Sequence, residues 1–117
     1  DDICYATQNR QDAVKQLSLE CEIVLVIGSK TSSNSNRLKE LAEKCGTKSF
    51  LIDDKSDINI DELRHTASVG ITAGASAPEE IVQEVISFLY PLGFKTVRNL
   101  SENNESMTFK LPKELAD

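Results

Sequence analysis

The sequence has little of what a nucleic-acid or membrane protein needs. Its 117 residues include 13 lysines and arginines against 19 acidic residues, for a formal net charge of -6, whereas proteins that bind phosphate backbones cluster their basic side chains. No apolar run approaches the roughly 20 residues that span a bilayer. We therefore expect neither nucleic acid nor a membrane as a partner.

Aromatic residues are also scarce. Tryptophan is absent, and phenylalanine and tyrosine together make up 5% of the chain. The core must therefore be mainly aliphatic, which is typical of a parallel sheet covered by helices. A chain of this length is expected to form one domain.

Cysteines are few and lack the spacing of a metal or disulfide site. Cys4, Cys21 and Cys45 are odd in number and form no CxxC pair, so neither a zinc site nor a disulfide framework follows, and a reducing compartment such as the cytoplasm is expected. Cys21 and Cys45 fall on the apolar faces or at the ends of predicted helices, where a free thiol is usually a small core residue. Cys4 precedes a predicted helix, whose amino-terminal dipole favours the thiolate of a nucleophile or metal ligand.

Strand and helix signals alternate along the chain. Apolar runs predict strands at residues 22–27, 48–52, 67–72 and 94–98, and helical spacing predicts helices at residues 10–20, 38–45 and 81–89. This alternation predicts an α/β fold, a three-layer αβα domain over residues 1–100 with a mainly parallel four-stranded sheet in the order 2-1-3-4.

The tail at residues 101–117 is polar except for Met107, Phe109 and Leu111, which alternate as in one more strand. This tail strand has no evident place in the predicted sheet. We expect it to pack on something else, such as another domain.

The chain is organised around residues 28–37, GSKTSSNSNR, which join the first strand to the second helix. Such a loop lies at the carboxyl end of a strand, where ligands bind in open α/β sheets, and the helix that follows presents free N–H groups to an anion. Six successive residues, 31–36, add hydroxyl and amide donors. The alternative is a polar loop in which one serine or asparagine caps the helix.

A second loop, AGASAPEE at residues 73–80, repeats this arrangement after the third strand. Residues 76–79, SAPE, match a capping box with Ser76 as the cap and proline in the first turn. A capping serine can still donate its own proton to an anion. The predicted strand order places the two loops side by side, where they can share one anion.

Two other polar features favour structural roles. The acidic residues 53–57 lack the glycine and terminal glutamate of a calcium-binding loop and indicate a solvated turn. His65, the one histidine, has no catalytic partner at motif spacing and is expected at the surface.

Three motifs in order resemble one enzyme family: DDICYATQNRQ at residues 1–11, GSKTSSNSNRL at 28–38 and GITAGASAPEEIV at 70–82. Together they are similar to 4-hydroxy-3-methylbut-2-enyl diphosphate reductase, the LytB family, which catalyses the last step of non-mevalonate isoprenoid synthesis. The resemblance runs from Asp1 through the tail motif FKLPKEL and so covers nearly the whole chain.

The resemblance implies a cytoplasmic bacterial oxidoreductase with a 4Fe-4S cluster and three pseudo-repeated αβα domains, of which this chain is similar to the third plus the tail. It implies that Cys4 is one of three cluster cysteines. It assigns the binding of the allylic diphosphate substrate to Ser32, Ser33, Asn34 and Ser76. The N-terminal domains and an electron donor such as flavodoxin or ferredoxin would be the partners, and this chain by itself would be inactive.

Two other classes compete with this interpretation. A non-catalytic phosphosugar- or phosphate-binding α/β module would also use hydroxyl-rich loops after its strands, but it gives Cys4 no role. A dinucleotide-binding domain fits less well, because the first strand-to-helix turn lacks GxGxxG.

Overall fold

The computed structural model describes residues 2–73, 77–95, 97–99 and 107–113, with side chains from Arg10 onward apart from that of Met107. The helices are α1 (Asp2–Glu20), α2 (Ser33–Lys44), α3 (Ile60–Leu63) and α4 (Glu79–Leu89). The strands are β1 (Ile23–Ile27), β2 (Lys48–Ile52), β3 (Ser68–Ala73), β4 (Arg98–Asn99) and β5 (Met107–Pro112).

The sheet has five strands in the order β2-β1-β3-β5-β4. The strands β2, β1 and β3 are parallel, and Ile27 at the end of β1 is level with Ile52 on one side and Ala73 on the other. The predicted order 2-1-3 is therefore confirmed, but the predicted place of strand 4 beside strand 3 was wrong, because β5 lies between them. The chain passes from β1 outward to β2 and then back across to β3, so the switch point lies between β1 and β3.

The tail strand belongs to this sheet, so the prediction that it packs elsewhere was wrong. β5 pairs antiparallel with β3 along six residues and separates it from β4. Phe109 and Leu111 are buried in the core that also holds Val69 and Ile71. The physical reason is that β3 needs a partner on its second side, and the tail's alternating side chains supply apolar contacts there.

The fourth strand is shorter and lies farther along the chain than predicted. β4 has only Arg98 and Asn99, both exposed, and pairs antiparallel with β5 at the sheet edge. Phe94, predicted as the start of this strand, is a buried core residue 1% exposed. The aromatic side chain of Phe94 is therefore held by packing before the strand begins.

Helices cover both faces of the sheet, as the αβα prediction requires. Alternate residues of β1 divide between the layers: Val24 and Val26 pack with the α1 and α2 side chains, whereas Leu25 and Ile27 pack beneath α4. The α4 face buries Val82, Val85 and Leu89, with Ile81 and Ile86 at its margin. The predicted helix face is thus confirmed.

The first helix begins eight residues earlier than predicted. The apolar spacing of Val14, Leu17 and Cys21 marks only its carboxyl-terminal half, but residues 2–20 contain no glycine or proline to stop it, and α1 continues back to Asp2. Cys4 therefore lies in the first turn of α1 rather than before it.

The two other cysteines differ from each other. Cys21 is buried, as predicted, and burial raises the pKa of its thiol to about 11. The prediction that Cys45 is a core residue was wrong: Cys45 is the exposed C-cap of α2. The helix ends there because Gly46 follows with φ of +86°, a left-handed conformation that favours glycine.

Gly70 lets α1 pack directly on β3. A Cβ atom at this position would lie 2.5 to 2.8 Å from three side-chain carbons of Leu17, which is fully buried. We expect Gly70→Ala to lower the free energy of unfolding by about 1–3 kcal/mol through overpacking. Denaturant titration of the single variant and of Gly70→Ala/Leu17→Ala checks this, because the two costs should be less than additive. Full additivity would contradict the contact.

Candidate functional site

The two polar loops leave the sheet from neighbouring strands. Ile27 and Ala73 are paired residues at the ends of β1 and β3, so the loop at residues 28–32 and the loop after Ala73 start side by side at the carboxyl edge. This confirms the expectation that the loops flank the switch point. A ligand held by both would lie in the crevice above this edge.

Internal hydrogen bonds shape the first loop. Gly28 N donates to Ile52 O at 2.9 Å, which extends the β1–β2 pairing by one residue. The chain then turns, with Ser32 N donating to Ser29 O at 3.0 Å and Thr31 N donating to Ser29 Oγ at 3.1 Å. Ser29 and Thr31 therefore shape the turn itself.

Ser32 is the N-cap of α2. Its backbone is extended, and its hydroxyl accepts a hydrogen bond from Ser35 N at 3.3 Å. Asn36 N donates to Ser32 O at 3.1 Å, the first backbone bond of the helix. The capping alternative considered for this loop is thus confirmed for Ser32, whose hydroxyl keeps one proton to donate.

Ser33 and Asn34 occupy the first two positions of α2, and both are exposed. In the part of the chain described by the structure, no hydrogen bond uses either of their backbone N–H groups. Such groups carry the positive end of the helix dipole. The first turn of α2 has no acidic side chain, whereas that of α4 has Glu79 and Glu80, so α2 is the better anion site.

Gly28 allows α2 to begin this close to β1. A Cβ atom there would overlap Ser35 Oγ and lie 2.9 Å from Ser35 Cβ. Rotation of the serine hydroxyl alone would not relieve both contacts. The glycine of this loop is therefore required by the close approach of the helix, and it brings the free N–H groups toward the sheet edge.

Ser76 of the second loop lies outside the described residues, but the helix that follows corrects the predicted capping box. α4 begins at Glu79, its N-cap is Pro78, and among the described residues no side-chain hydrogen bond caps it. Pro78 thus precedes the first turn instead of lying in it. Pro78 has a ψ of 135°, which is extended, so the helix starts two residues later than a Ser76 cap would require.

The amino-terminal end of α1 lies toward the same edge. Its carboxyl end is fixed at the opposite edge, where Thr47 Oγ1 donates to Ser18 O at 2.8 Å and Ser68 Oγ donates to Glu20 O at 3.4 Å. α1 therefore runs antiparallel to β1 and β3. At 1.5 Å per residue, the first turn of α1 is about 26 Å from Cys21. Cys4 lies in this turn, so its backbone is on the side of the candidate site and away from the other two cysteines.

The donor set of this chain fits part of an iron–sulfur site. In the described residues no three His, Cys, Asp or Glu side chains form a metal site. Cys21 is buried with a raised pKa, and Cys45 ends α2 at the amino edge of the sheet. Cys4 is the cysteine whose backbone lies at the other end of α1, toward the carboxyl edge of the sheet.

The two remaining polar features lie in a turn and at the surface, as the sequence predicts. Asp54 caps the short turn at Lys55–Asp57, and hydrogen bonds from Ser56 lower the pKa of its exposed carboxyl group. His65 is exposed. Among the described helices, none has both the length and the apolar character needed to cross a membrane.

The fold and the loop geometry define a three-layer α/β domain that presents the free amino terminus of a helix at the switch point of its sheet. The sequence profile described as LytB protein matches residues 1–90. The chain belongs to the LytB protein family.

Relatives and solved structures agree with this assignment. The chain is 57% identical over 115 residues to 4-hydroxy-3-methylbut-2-enyl diphosphate reductase of Saccharophagus degradans and 56% identical to that of Alcanivorax borkumensis, covering 98% of this chain. It spans only 37% of the length of these two relatives.

Two solved reductase structures resemble the fold. A structure of (E)-4-hydroxy-3-methyl-but-2-enyl diphosphate reductase, described as the terminal enzyme of the non-mevalonate pathway, matches with a TM-score of 0.69 and 32% identity, covering 73% of this chain and 30% of that one. The Plasmodium falciparum reductase matches with a TM-score of 0.74 and 25% identity, covering 87% and 35%. The mixed α/β architecture is therefore that of the reductases.

Proposed function

We propose that this chain is the diphosphate-binding third domain, with its tail, of a 4-hydroxy-3-methylbut-2-enyl diphosphate reductase. The observation that carries the proposal is the first turn of α2, where Ser33 and Asn34 are exposed beside a half-buried capping Ser32. Family membership supports the substrate class, because the relatives named above are reductases of this diphosphate.

The residues of this chain would act by holding the diphosphate. The N–H groups of Ser33 and Asn34, with the hydroxyls of Ser32, Ser33 and Ser76, would donate to its oxygens without a cluster of cations. Hydrogen bonds to a charged group contribute roughly 1.5–3 kcal/mol each, so several are sufficient. Cys4 would supply one thiolate, and the two other cluster cysteines would come from the N-terminal domains.

A 4Fe-4S cluster, when bound, would supply an open iron site for the substrate hydroxyl and a route for the two electrons that remove it. With two protons, the hydroxyl leaves as water, and the products are isopentenyl and dimethylallyl diphosphate. The electrons would come from a cytoplasmic donor such as flavodoxin or ferredoxin.

Removing one hydroxyl from the loop tests the substrate role. In the complete reductase, we expect Ser33→Ala to lower kcat/KM for 4-hydroxy-3-methylbut-2-enyl diphosphate about five- to a hundredfold, a loss of about 1–3 kcal/mol. The visible iron–sulfur absorption should not change. Ser87→Ala, which removes an exposed hydroxyl from α4, is the matched control and should affect kcat/KM less. Equal effects would contradict the assignment of Ser33.

The chain of 117 residues alone should be colourless after anaerobic reconstitution with iron and sulfide, because one thiolate cannot replace three. Iron and sulfide analysis of the monomer checks this expectation. A stoichiometric 4Fe-4S cluster on the monomer would contradict the role of Cys4 as one ligand among three.

A further inference from the structure

The side chain of Asn36 ties the loop to the helix that follows it. Its amide nitrogen Nδ2 donates to Lys30 O at 2.8 Å and to Ser32 O at 2.9 Å. A carboxamide NH2 group has two hydrogens to donate, so both are used inside the protein. Asn36 is half-buried, and its amide group is therefore committed to loop structure.

The two carbonyl groups that Asn36 binds belong to the peptide units that carry the N–H groups of Thr31 and Ser33. In a trans peptide unit the C=O and the N–H point in opposite directions. Because Ser32 O is drawn toward Asn36, the N–H of Ser33 is directed away from it, out of the helix end. In the same way, the bond to Lys30 O fixes the peptide plane that carries the N–H of Thr31.

The same contacts keep carbonyl oxygens away from the anion. A peptide unit that rotated about its neighbouring bonds would present its negative oxygen at the helix end and remove a donor. The Ser32 hydroxyl holds Ser35 N, but it does not hold the peptide units of Lys30 or Ser32. No other described side chain donates to either of these two carbonyl groups. Ser32 O also accepts the backbone N–H of Asn36 at 3.1 Å, so the bond to Lys30 O is the one that the Asn36 side chain alone supplies.

We propose that Asn36 is a positioning residue, which holds the Lys30 and Ser32 carbonyl groups so that the N–H group of Ser33 faces a diphosphate that Asn36 itself does not contact. This proposal rests on the proposed function, since it concerns the same anion site. It adds a residue whose side chain points back into the loop and is distinct from the assigned ligands Ser32, Ser33, Asn34 and Ser76.

The test is an NMR titration of the 15N-labelled chain with inorganic pyrophosphate. In the unchanged chain, the amide signals of Ser33 and Asn34 should shift in a saturable way. In Asn36→Ala we expect pyrophosphate affinity at least about tenfold weaker, since two hydrogen bonds of roughly 1 kcal/mol each are lost. Relaxation measurements should show larger amide motion at residues 30–33, while Ser35 keeps its capping bond.

Two further variants separate positioning from folding. Asn36→Asp keeps the side-chain volume but replaces the donors with acceptors, and should weaken pyrophosphate binding as much or more while α2 remains formed. Gln83→Ala removes a carboxamide from the exposed face of α4 and should change neither binding nor loop motion.

The outcomes are distinguishable. If the unchanged chain gives no saturable shift at Ser33 and Asn34, the anion site fails, and the role of Asn36 fails with it. If the unchanged chain binds pyrophosphate and folded Asn36→Ala or Asn36→Asp binds it equally well, the positioning role alone is overturned. Weaker binding with greater motion confined to residues 30–33 supports it.

Discussion

Ser33→Asp will remove most reductase activity from the complete protein while leaving this domain as stable as before. Ser33 is the first residue of α2 and is exposed. An aspartate in the first turn interacts favourably with the helix dipole, by about 0.3–1 kcal/mol, so Tm should stay the same or rise slightly. The same carboxylate would lie where the proposal puts the diphosphate.

The expected loss follows from charge repulsion. Two unit charges 4 Å apart interact by about 4 kcal/mol at the effective dielectric constant near a protein surface, and screening reduces this value. We expect kcat/KM for 4-hydroxy-3-methylbut-2-enyl diphosphate to fall at least about a hundredfold, or about 2.7 kcal/mol. Steady-state kinetics and thermal unfolding of the same preparation measure both effects.

Gln83→Glu is the matched control for net charge, because it adds one negative charge on the exposed face of α4. Its kcat/KM should remain within about twofold of the unchanged enzyme, since the added carboxylate is exposed to solvent on α4 and is screened by salt. An active, tightly binding Ser33→Asp enzyme would place the anion elsewhere. The same substitution at Ser76 then asks whether the second loop holds the diphosphate.

Cys4→Ser will prevent normal cluster assembly in the complete reductase. Loss of a residue that only supports a metal ligand typically costs 10–100-fold in affinity or activity, and loss of a thiolate ligand itself should cost at least about a hundredfold. The visible absorption of the reconstituted protein and its reductase activity should fall together.

Cys45→Ser is the control for this experiment. Cys45 is exposed at the end of α2, at the sheet edge opposite the candidate site, so neither absorption nor activity should change. A Cys4→Ser enzyme with full absorption and activity would contradict the assignment of Cys4. Loss of the cluster in Cys45→Ser instead would move the ligand to the other edge of the domain.

Local sequence patterns predicted a strand, a helix face or a helix end correctly where the residues of that element alone determine its structure. The run at Ile23–Ile27 is apolar at every position and forms a fully buried strand. The spacing of Val82, Val85 and Leu89 gives the buried face of α4. Gly46 ends α2 because the left-handed conformation there favours glycine.

Local sequence patterns failed at the ends of helices, where the structure depends on contacts with other parts of the chain. The sequence pattern did not predict that α1 starts at Asp2, because the first half of this helix lacks the apolar spacing found in its second half. Cys45 was placed in the core from helical spacing, but it lies on the last, exposed turn. The N-cap of α4 is Pro78, although SAPE has the composition of a capping box.

The sequence by itself determined the α/β class, the family and the loop that precedes α2, because apolar period, turn chemistry and motifs are local properties. Only the tertiary structure decided where the tail lies and what each loop residue does. β5 enters the sheet because β3 has an unpaired side, a fact of sheet topology. Ser32, Ser35 and Asn36 are similar polar residues in the sequence, but in the structure Ser32 caps α2, Ser35 packs against Gly28 and the Asn36 side chain holds the loop, because each faces a different neighbour.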